Sequence, residues 1–329
     1  MSFIDEELTK IKKELEGSVE GLEILSTSQH SVQVKIWKTE HKQLRLLIMF
    51  PEEYPHKCLM IEVKSKSLPE RVMKLIENIT EKEAKKLQGQ YQVIQICKVA
   101  RQFLDENMFI VCADELDAVK NRLMEKGDEI KIKQKAGTFQ VTAHKNGYFM
   151  NLKFSITDDY PQSNAKIECK ETNFPADLAA MFVRQGVELS RRCVVAPALQ
   201  KKGDPPFKVK PSILPVAEYL IRDCIKFYPT AQCSICDNQT FPTDPKDVTQ
   251  DIRGPLYVEY VYCSHVFHHK CLDKYMKTPP FKGGKKCPIC GKRIFHEKWK
   301  ETPELAEQRW AHKQAKRREL DEVTDFMDF

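Results

Sequence analysis

Several features of common enzyme and membrane-protein classes are missing from this sequence of 329 residues. Glycine is sparse, with only 12 residues, and no G-x-x-x-x-G-K segment is present, which excludes a phosphate-binding loop of that type. Apolar runs such as residues 46–50 are far shorter than the roughly 20 residues that a membrane-spanning helix needs. The first ten residues are acidic and helical in pattern, unlike a secretory signal. We therefore expect neither a membrane partner nor export.

Half of the 12 cysteines stand alone in apolar helix or strand patterns. We expect these six to be buried free thiols, which fits a reducing compartment, the cytoplasm, the nucleus or both. None has an obvious partner histidine nearby in sequence, so we expect no cysteine nucleophile among them. They are Cys58, Cys97, Cys112, Cys169, Cys193 and Cys224.

The other six cysteines form a pattern with two histidines between residues 233 and 290. Two C-x-x-C pairs bracket a central C-x-H-x-x-H-x-x-C segment, and each C-x-x-C turn supplies two thiolates from one tight bend. Eight ligands complete two tetrahedral zinc sites, so we expect two zinc ions as cofactors. The ligands are Cys233, Cys236, Cys263, His265, His268, Cys271, Cys287 and Cys290.

This ligand order resembles the RING finger of the two-histidine type. The resemblance implies cross-braced wiring, in which the first and third ligand pairs share one zinc and the second and fourth pairs share the other. A PHD finger would need another cysteine soon after Cys263, and a DNA-reading Cys2His2 finger would need a histidine pair on a helix after a single C-x-x-C. Neither pattern is present.

The residues before the zinc ligands contain one arrangement of elements twice. An amphipathic helix at residues 5–15 precedes four strand-like runs, and two further helices are predicted at residues 69–87 and 93–104. A helix at residues 115–124 opens the same order again. The pairs Tyr54-Pro55 and Tyr160-Pro161 lie 106 residues apart, each after two acidic residues and before a strand. An internal repeat of domain size explains this spacing best.

Each unit resembles the RWD domain, a relative of the ubiquitin-conjugating enzyme fold, although an unrelated α+β pair is the alternative. A His-Pro-Asn segment followed by a thiol, which an active conjugating enzyme would need, is absent. We predict an α+β protein with two RWD-like modules at residues 1–111 and 112–229, a cross-brace RING at 230–297, and a charged helix with an acidic tail at 298–329. This layout is similar to that of the Fanconi anaemia group L ligases.

The RING resemblance implies a ubiquitin transferase that forms no covalent intermediate and has no catalytic residue of its own. Its partners would be a ubiquitin-charged conjugating enzyme and ubiquitin, while the RWD-like modules would bind a protein substrate or a complex subunit. The positions that match the family's docking groove are Ile235, Tyr275 and Pro288, and Lys292 or Arg293 would contact ubiquitin, since Gly291 occupies the usual basic position. We expect Leu272 and Ile289 to face the interior of the domain.

Two other functions stay open. Because Gly291 replaces the basic residue, the RING could be purely structural, in a scaffold subunit of a larger complex. The basic run at residues 313–318, on a predicted helix at 302–320, could bind nucleic acid or chromatin, and the terminal Phe326 and Phe329 could dock a partner. The net charge of +6 is modest, however, so we do not expect nucleic acid as the partner.

Overall fold

A computed structural model describes residues 2–199 and 205–327 of the chain. It divides into two compact units. The first unit comprises Met1–Ala143, Met150–Thr172 and Leu178–Arg222. The second comprises His144–Phe149, Asn173–Asp177 and Asp223–Phe329, and it contains all eight predicted zinc ligands. Phe329 lies outside the described residues.

The N-terminal part of the first unit is a four-stranded antiparallel meander, in the order β1-β2-β3-β4, with three helices. Ser2 begins α1 with a capping box, since its side chain accepts from the Asp5 backbone N–H while the Asp5 carboxylate accepts from the Ser2 backbone. Residues of β2 alternate between buried and exposed, as expected for a strand with one covered face. The elements are α1 Phe3–Ser18, β1 Leu22–Thr27, β2 Ser31–Trp37, β3 Gln43–Met49, β4 Met60–Lys64, α2 Glu70–Lys86 and α3 Val93–Glu106.

A buried carboxylate ties this meander to its last helix. Glu7 on α1 accepts hydrogen bonds from the Tyr54 hydroxyl and from the backbone N–H groups of Gln92 and Val93 at the start of α3. Burial raises the pKa of Glu7, although the bonds from Tyr54 and the two N–H groups act in the opposite direction. The carboxylate therefore caps α3 from the interior and fixes α1 against it.

A second meander, in the order β5-β6-β7-β8, follows residue 108 with the same sequence of elements. Glu115 on α4 accepts from the Tyr160 hydroxyl at 2.6 Å and from the Leu214 backbone N–H at the start of α6. Both Tyr54-Pro55 and Tyr160-Pro161 are cis. The elements are α4 Ala113–Ala118, β5 Glu129–Lys133, β6 Thr138–Lys145, β7 Tyr148–Ser155, β8 Lys166–Thr172, α5 Ala176–Val194 and α6 Ile213–Ala217, with π-helical turns at Val119–Leu123 and Glu218–Lys226 and a 3-10 turn at Met108–Cys112.

The second unit is built around short elements beside the zinc ligands. Strands β9 and β10 pair antiparallel, and α7 follows β10 directly. Tyr148 packs against Phe174 and Phe241, and its hydroxyl donates to the Pro242 carbonyl at 2.9 Å. The elements are β9 Val258–Tyr260, β10 Val266–His268, α7 His269–Met276 and α8 Pro303–Met327, with 3-10 turns at Tyr228–Thr230, Pro245–Asp247 and Glu297–Trp299.

The predicted helices and meanders are confirmed, with ends that differ by a few residues. The helix predicted at residues 115–124 changes from α to π geometry partway, as does the helix that begins at Ile213, and periodicity does not reveal either change. Of the six unpatterned cysteines, four are buried, whereas Cys58 and Cys169 are half-buried. Among the described residues, no helix has both the length and the apolar character needed to cross a membrane.

Candidate metal centre

The first Cys/His cluster joins the first C-x-x-C turn to the start of α7. Cys233, Cys236, His268 and Cys271 each offer one ligand atom, and these four atoms lie within 4.8 Å of one another. The His268 Nδ1 is 3.3 Å from the Cys236 sulfur, while the opposite nitrogen, Nε2, is 3.2 Å from the Gln239 carbonyl oxygen. With its proton on Nε2, His268 donates to that carbonyl and presents a free Nδ1 lone pair to the cluster.

The second cluster joins the β9–β10 turn to the second C-x-x-C turn. Its ligand atoms, from Cys263, His265, Cys287 and Cys290, also lie within 4.8 Å of one another. The His265 Nδ1 is 3.2 Å from the Cys263 sulfur and 3.5 Å from the Cys287 sulfur. Burial lowers the pKa of His265 and so favours the neutral imidazole, the form that binds metal. The two groupings have the connectivity of a cross-brace.

The two C-x-x-C turns share one backbone design. In each turn, the residue after the second cysteine has a left-handed backbone, Asp237 with φ 57° and Gly291 with φ 70°. Its N–H donates to the carbonyl of the first cysteine, Cys233 at 2.8 Å or Cys287 at 2.8 Å. This bend directs both sulfurs of a pair to one point. Gly291 is therefore suited to a conformation that glycine adopts without steric cost.

The donor sets fit zinc. Each cluster has three thiols and one imidazole, the soft and borderline ligands of closed tetrahedral structural sites. The hydrogen bond from the Lys292 backbone N–H lowers the pKa of the Cys290 thiol, which favours the thiolate that metal requires. Zinc would hold the core of this domain together, since two of the six buried residues in its central cluster, Cys233 and Cys287, are themselves ligands.

A buried carboxylate outside both clusters anchors the segment that follows the last ligand. Glu259 on β9 contacts the His269 Nδ1 at 2.6 Å, the His296 Nε2 at 3.4 Å and the Lys298 ammonium. Trp299 packs beside both histidine rings and donates from Nε1 to the Asp273 carboxylate on α7 at 3.0 Å. His269, adjacent to a ligand, is thus not part of a cluster. Sequence spacing gave no signal for these contacts.

The predicted docking residues lie around the two clusters. Ile235 and Tyr275 are half-buried and pack against the small core, while Pro288 is exposed. The Tyr275 hydroxyl donates to the Lys286 carbonyl at 2.7 Å, and the buried Lys285 ammonium lies 4.6 Å from the centre of its ring. Both contacts fix the orientation of the aromatic ring. Leu272 is fully buried as expected, but the prediction for Ile289 is wrong, because 47% of this residue is exposed.

Ile289 has the same place in the second C-x-x-C turn that Ile235 has in the first, yet Ile235 is half-buried against the core while Pro288 and Ile289 are both exposed. Lys292 is exposed as well. The guanidinium of Arg293, by contrast, lies 5.1 Å from the Phe295 ring centre and packs against Gly284, where a Cβ atom would be 2.6 Å from the Arg293 Nε.

Fold and site together define a mixed α/β protein with a small Cys/His domain. Comparison with protein families agrees with both parts: residues 2–104 match the RWD domain, and residues 233–290 match the zinc finger of C3HC4 type, the RING finger. No curated protein matches the chain. The chain contains an RWD domain and a RING finger with two Cys/His clusters consistent with two zinc ions. These domains are consistent with a RING protein of the ubiquitin pathway.

Proposed function

We propose that this protein is a RING-type ubiquitin ligase that recruits a ubiquitin-charged conjugating enzyme to the surface formed by Ile235, Tyr275, Pro288 and Ile289. One observation carries the proposal: on a RING finger, Pro288 and Ile289 are exposed while Ile235 and the anchored Tyr275 are half-buried against the core. Apolar and aromatic anchors of this kind supply most of the binding energy in small transient interfaces. Zinc at both clusters would hold these side chains in place.

The proposed ligase acts by orientation. The conjugating enzyme carries the ubiquitin thioester, and the RING holds enzyme and ubiquitin so that a substrate amine can attack the thioester carbon. The thiolate of the conjugating enzyme is the leaving group. Lys292, which is exposed, is the better candidate to contact ubiquitin, because Arg293 is already held against Phe295 and Gly284. The protein itself supplies no nucleophile in this scheme.

The proposal includes a second RWD-like module at residues 112–229, which binds substrate or complex subunits together with the RWD domain. Its support is the repeated buried network. Glu7 and Glu115 each accept from the tyrosine of a Tyr-Pro turn and from backbone N–H groups at the start of a later helix. Two platforms before a C-terminal RING would give the layout of the Fanconi anaemia group L ligases, in the cytoplasm, the nucleus or both.

The test is an autoubiquitination assay with a panel of conjugating enzymes. Ile235→Ala should lower activity at least about tenfold while the protein retains two zinc ions, since loss of an interface anchor costs about 1–2 kcal/mol or more. The control is Ile252→Ala, the same change at an exposed isoleucine of the second unit that lies in the loop before β9. Equal activity of both variants would contradict the proposed surface.

A scaffold function is the second candidate, and Gly291 is the observation that favours it. Glycine provides no side chain to hold ubiquitin, and the open space around this residue offers no substitute contact. A scaffold would build no chains with any conjugating enzyme, yet it would still bind complex subunits through the RWD domain. The same panel distinguishes the two candidates.

A further inference from the structure

Positive charge is concentrated in one part of the chain. The whole sequence has 53 Lys and Arg against 47 Asp and Glu. Residues 264–318, from the second RING loop through most of α8, contain 15 of these basic residues and only five acidic ones. This segment has an excess of ten positive charges, and the rest of the chain is net negative. The modest net charge of +6 is therefore the sum of a strongly basic region and a net negative remainder.

Most of these cations are exposed and have no carboxylate partner. Lys270, Lys274, Lys282, Lys286, Lys292 and Lys300 are exposed. Among the side chains that the structure describes, those of residues 2–199 and 205–321, none of the six has a carboxylate oxygen within 4.0 Å, whereas the nearby Lys277 and Lys298 are paired with Asp273 and Glu259. Uncompensated charges of one sign on one small domain create a potential that attracts a polyanion.

The basic region continues along α8, which has no buried residue among those whose burial is described. At 100° per residue, Arg309, Lys313, Lys316 and Arg317 share roughly a third of the helix circumference. The basic part of the helix, residues 309–318, extends over about 14 Å at ~1.5 Å per residue, and acidic residues precede and follow it.

Two aromatic residues of the RING segment are exposed. Tyr262, adjacent to the ligand Cys263, is 87% exposed, and Phe295 is 58% exposed with the Arg293 guanidinium over one face of its ring. Both rings are therefore accessible to a ligand. Aromatic faces among cations are the usual means of holding single-stranded nucleic acid, since each base stacks on a ring while the phosphates contact Lys and Arg.

We propose that the basic surface of residues 262–318 binds single-stranded nucleic acid without sequence specificity, with the bases stacking on Tyr262 and Phe295 and the phosphates on the RING lysines and α8. An acidic protein would satisfy the charges but would not explain the two open rings. Single-stranded RNA and DNA both offer bases that stack and phosphates that bind cations, and the test distinguishes between them. The inference does not depend on ligase activity, because binding is measured without any conjugating enzyme.

The test uses fluorescence anisotropy with the zinc-loaded full chain and labelled single strands of about 20 nucleotides, oligouridine and oligothymidine, between ~50 and ~200 mM salt. The charge variant Lys313→Glu/Lys316→Glu/Arg317→Glu should weaken binding at least tenfold. It should also reduce the slope of log K against log salt by about 2, because each contact contributes about 0.7 for single strands. Lys12→Glu/Lys13→Glu/Lys98→Glu, the same charge change on exposed lysines of α1 and α3, should keep most of the affinity.

The aromatic variant Tyr262→Ala/Phe295→Ala should weaken binding by about tenfold or more while zinc content stays at two, and Tyr262→Phe/Phe295→Tyr should restore it. Tighter binding of oligouridine than of oligothymidine would identify RNA as the source, and the reverse would identify DNA. Absence of binding at low salt would overturn the proposal. The proposal would also be wrong if the charge variant and its control lost affinity equally, or if the aromatic variant bound as tightly as the wild type. Competition by polyglutamate as effective as that by oligouridine would contradict it too.

Discussion

His268 occupies the position at which the C3HC4 ligand order has its fourth cysteine, so this chain uses two histidines where that pattern has one. The backbone accommodates the larger ring because the Gln239 carbonyl accepts the Nε2 proton and orients Nδ1 toward Cys236. The identity of the ligand is thus coupled to a hydrogen bond outside the cluster.

We predict that His268→Cys retains two zinc ions per chain, whereas His268→Ala retains one. A thiolate can replace imidazole in a tetrahedral site, but alanine removes a ligand, and a structural site contributes on the order of 10 kcal/mol to folding. Elemental analysis of the purified variants measures the zinc content. His269→Ala is the control, since the adjacent histidine contacts Glu259 and lies outside both clusters. If His269→Ala lost a zinc ion while His268→Ala kept both, His269 rather than His268 would be the ligand, and the prediction would be wrong.

Fully buried cysteine thiols should react more slowly than half-buried ones. Burial raises the pKa of Cys97 to about 12, because its surroundings cannot solvate a thiolate. At pH 8 we expect iodoacetamide to modify the half-buried Cys58 much faster than Cys97 in the native, zinc-loaded protein. Mass spectrometry after timed labelling gives both rates. Modification of Cys97 as fast as that of Cys58 would show that this part of the RWD core opens readily.

At the scale of elements, the sequence predicted what local patterns determine. Helices α2 and α3 follow from apolar residues at helical spacing, and the zinc ligands follow from two C-x-x-C pairs around a fixed centre. The sequence failed where a contact depends on the folded chain. Nothing local pairs Glu259 with Lys298, 39 residues later, and nothing local distinguishes the exposed Ile289 from the half-buried Ile235 at the same position of the first turn.

One such long-range contact joins the two meanders of the first unit. Lys42, in the turn before β3, is fully buried, and its ammonium donates to the Asp158 carboxylate at 2.6 Å and to the Met108 sulfur at 3.2 Å. Asp158 precedes Tyr160-Pro161 and also pairs with Lys38 at 3.0 Å. The side chain of Asp158 is 39% exposed, so solvent moderates the strength of this pair.

We predict that Asp158→Ala destabilises the first unit by about 2 kcal/mol, because it leaves a buried ammonium with no carboxylate. Lys38→Ala, which removes only the more exposed partner, should cost under about 1 kcal/mol. Lys42→Met should be close to neutral and should rescue Asp158→Ala, since it removes the buried charge. Hydrogen exchange across β2 and β3 measures the stability of each variant. A neutral Asp158→Ala would mean that water reaches Lys42.

The same lysine predicts a pH dependence. Burial lowers the pKa of Lys42 below its ordinary 10.5, although the bond to Asp158 acts in the opposite direction. Between the folded and unfolded pKa values the unfolded chain binds more protons, so the free energy of unfolding should rise as pH increases toward 10.5. The rise should be absent in Lys42→Met, and a comparison of exchange rates across β2 and β3 at several pH values measures it.

At the scale of the whole molecule, the two units have different sources of stability. The RWD domain buries a core of more than twenty apolar side chains contributed by α1, the meander, α2 and α3. In the central cluster of the RING core, by contrast, two of the buried members, Cys233 and Cys287, are themselves ligands. We therefore expect the fold of the RING to depend on metal, whereas the RWD domain has an apolar core without ligands.

We therefore predict that a zinc chelator unfolds the RING while the RWD domain stays folded. Hydrogen-exchange protection should disappear across β9, β10 and α7, and protection across β2 and β3 should change little. The Glu259 contacts should also open on chelation, because β9 and α7 hold their partners in place. Restoring about two equivalents of zinc should return protection to the RING, since metal binding and folding are one event there. Protection that persists across α7 after both ions are removed would show that the Glu259 and Trp299 contacts hold the RING surface together without metal.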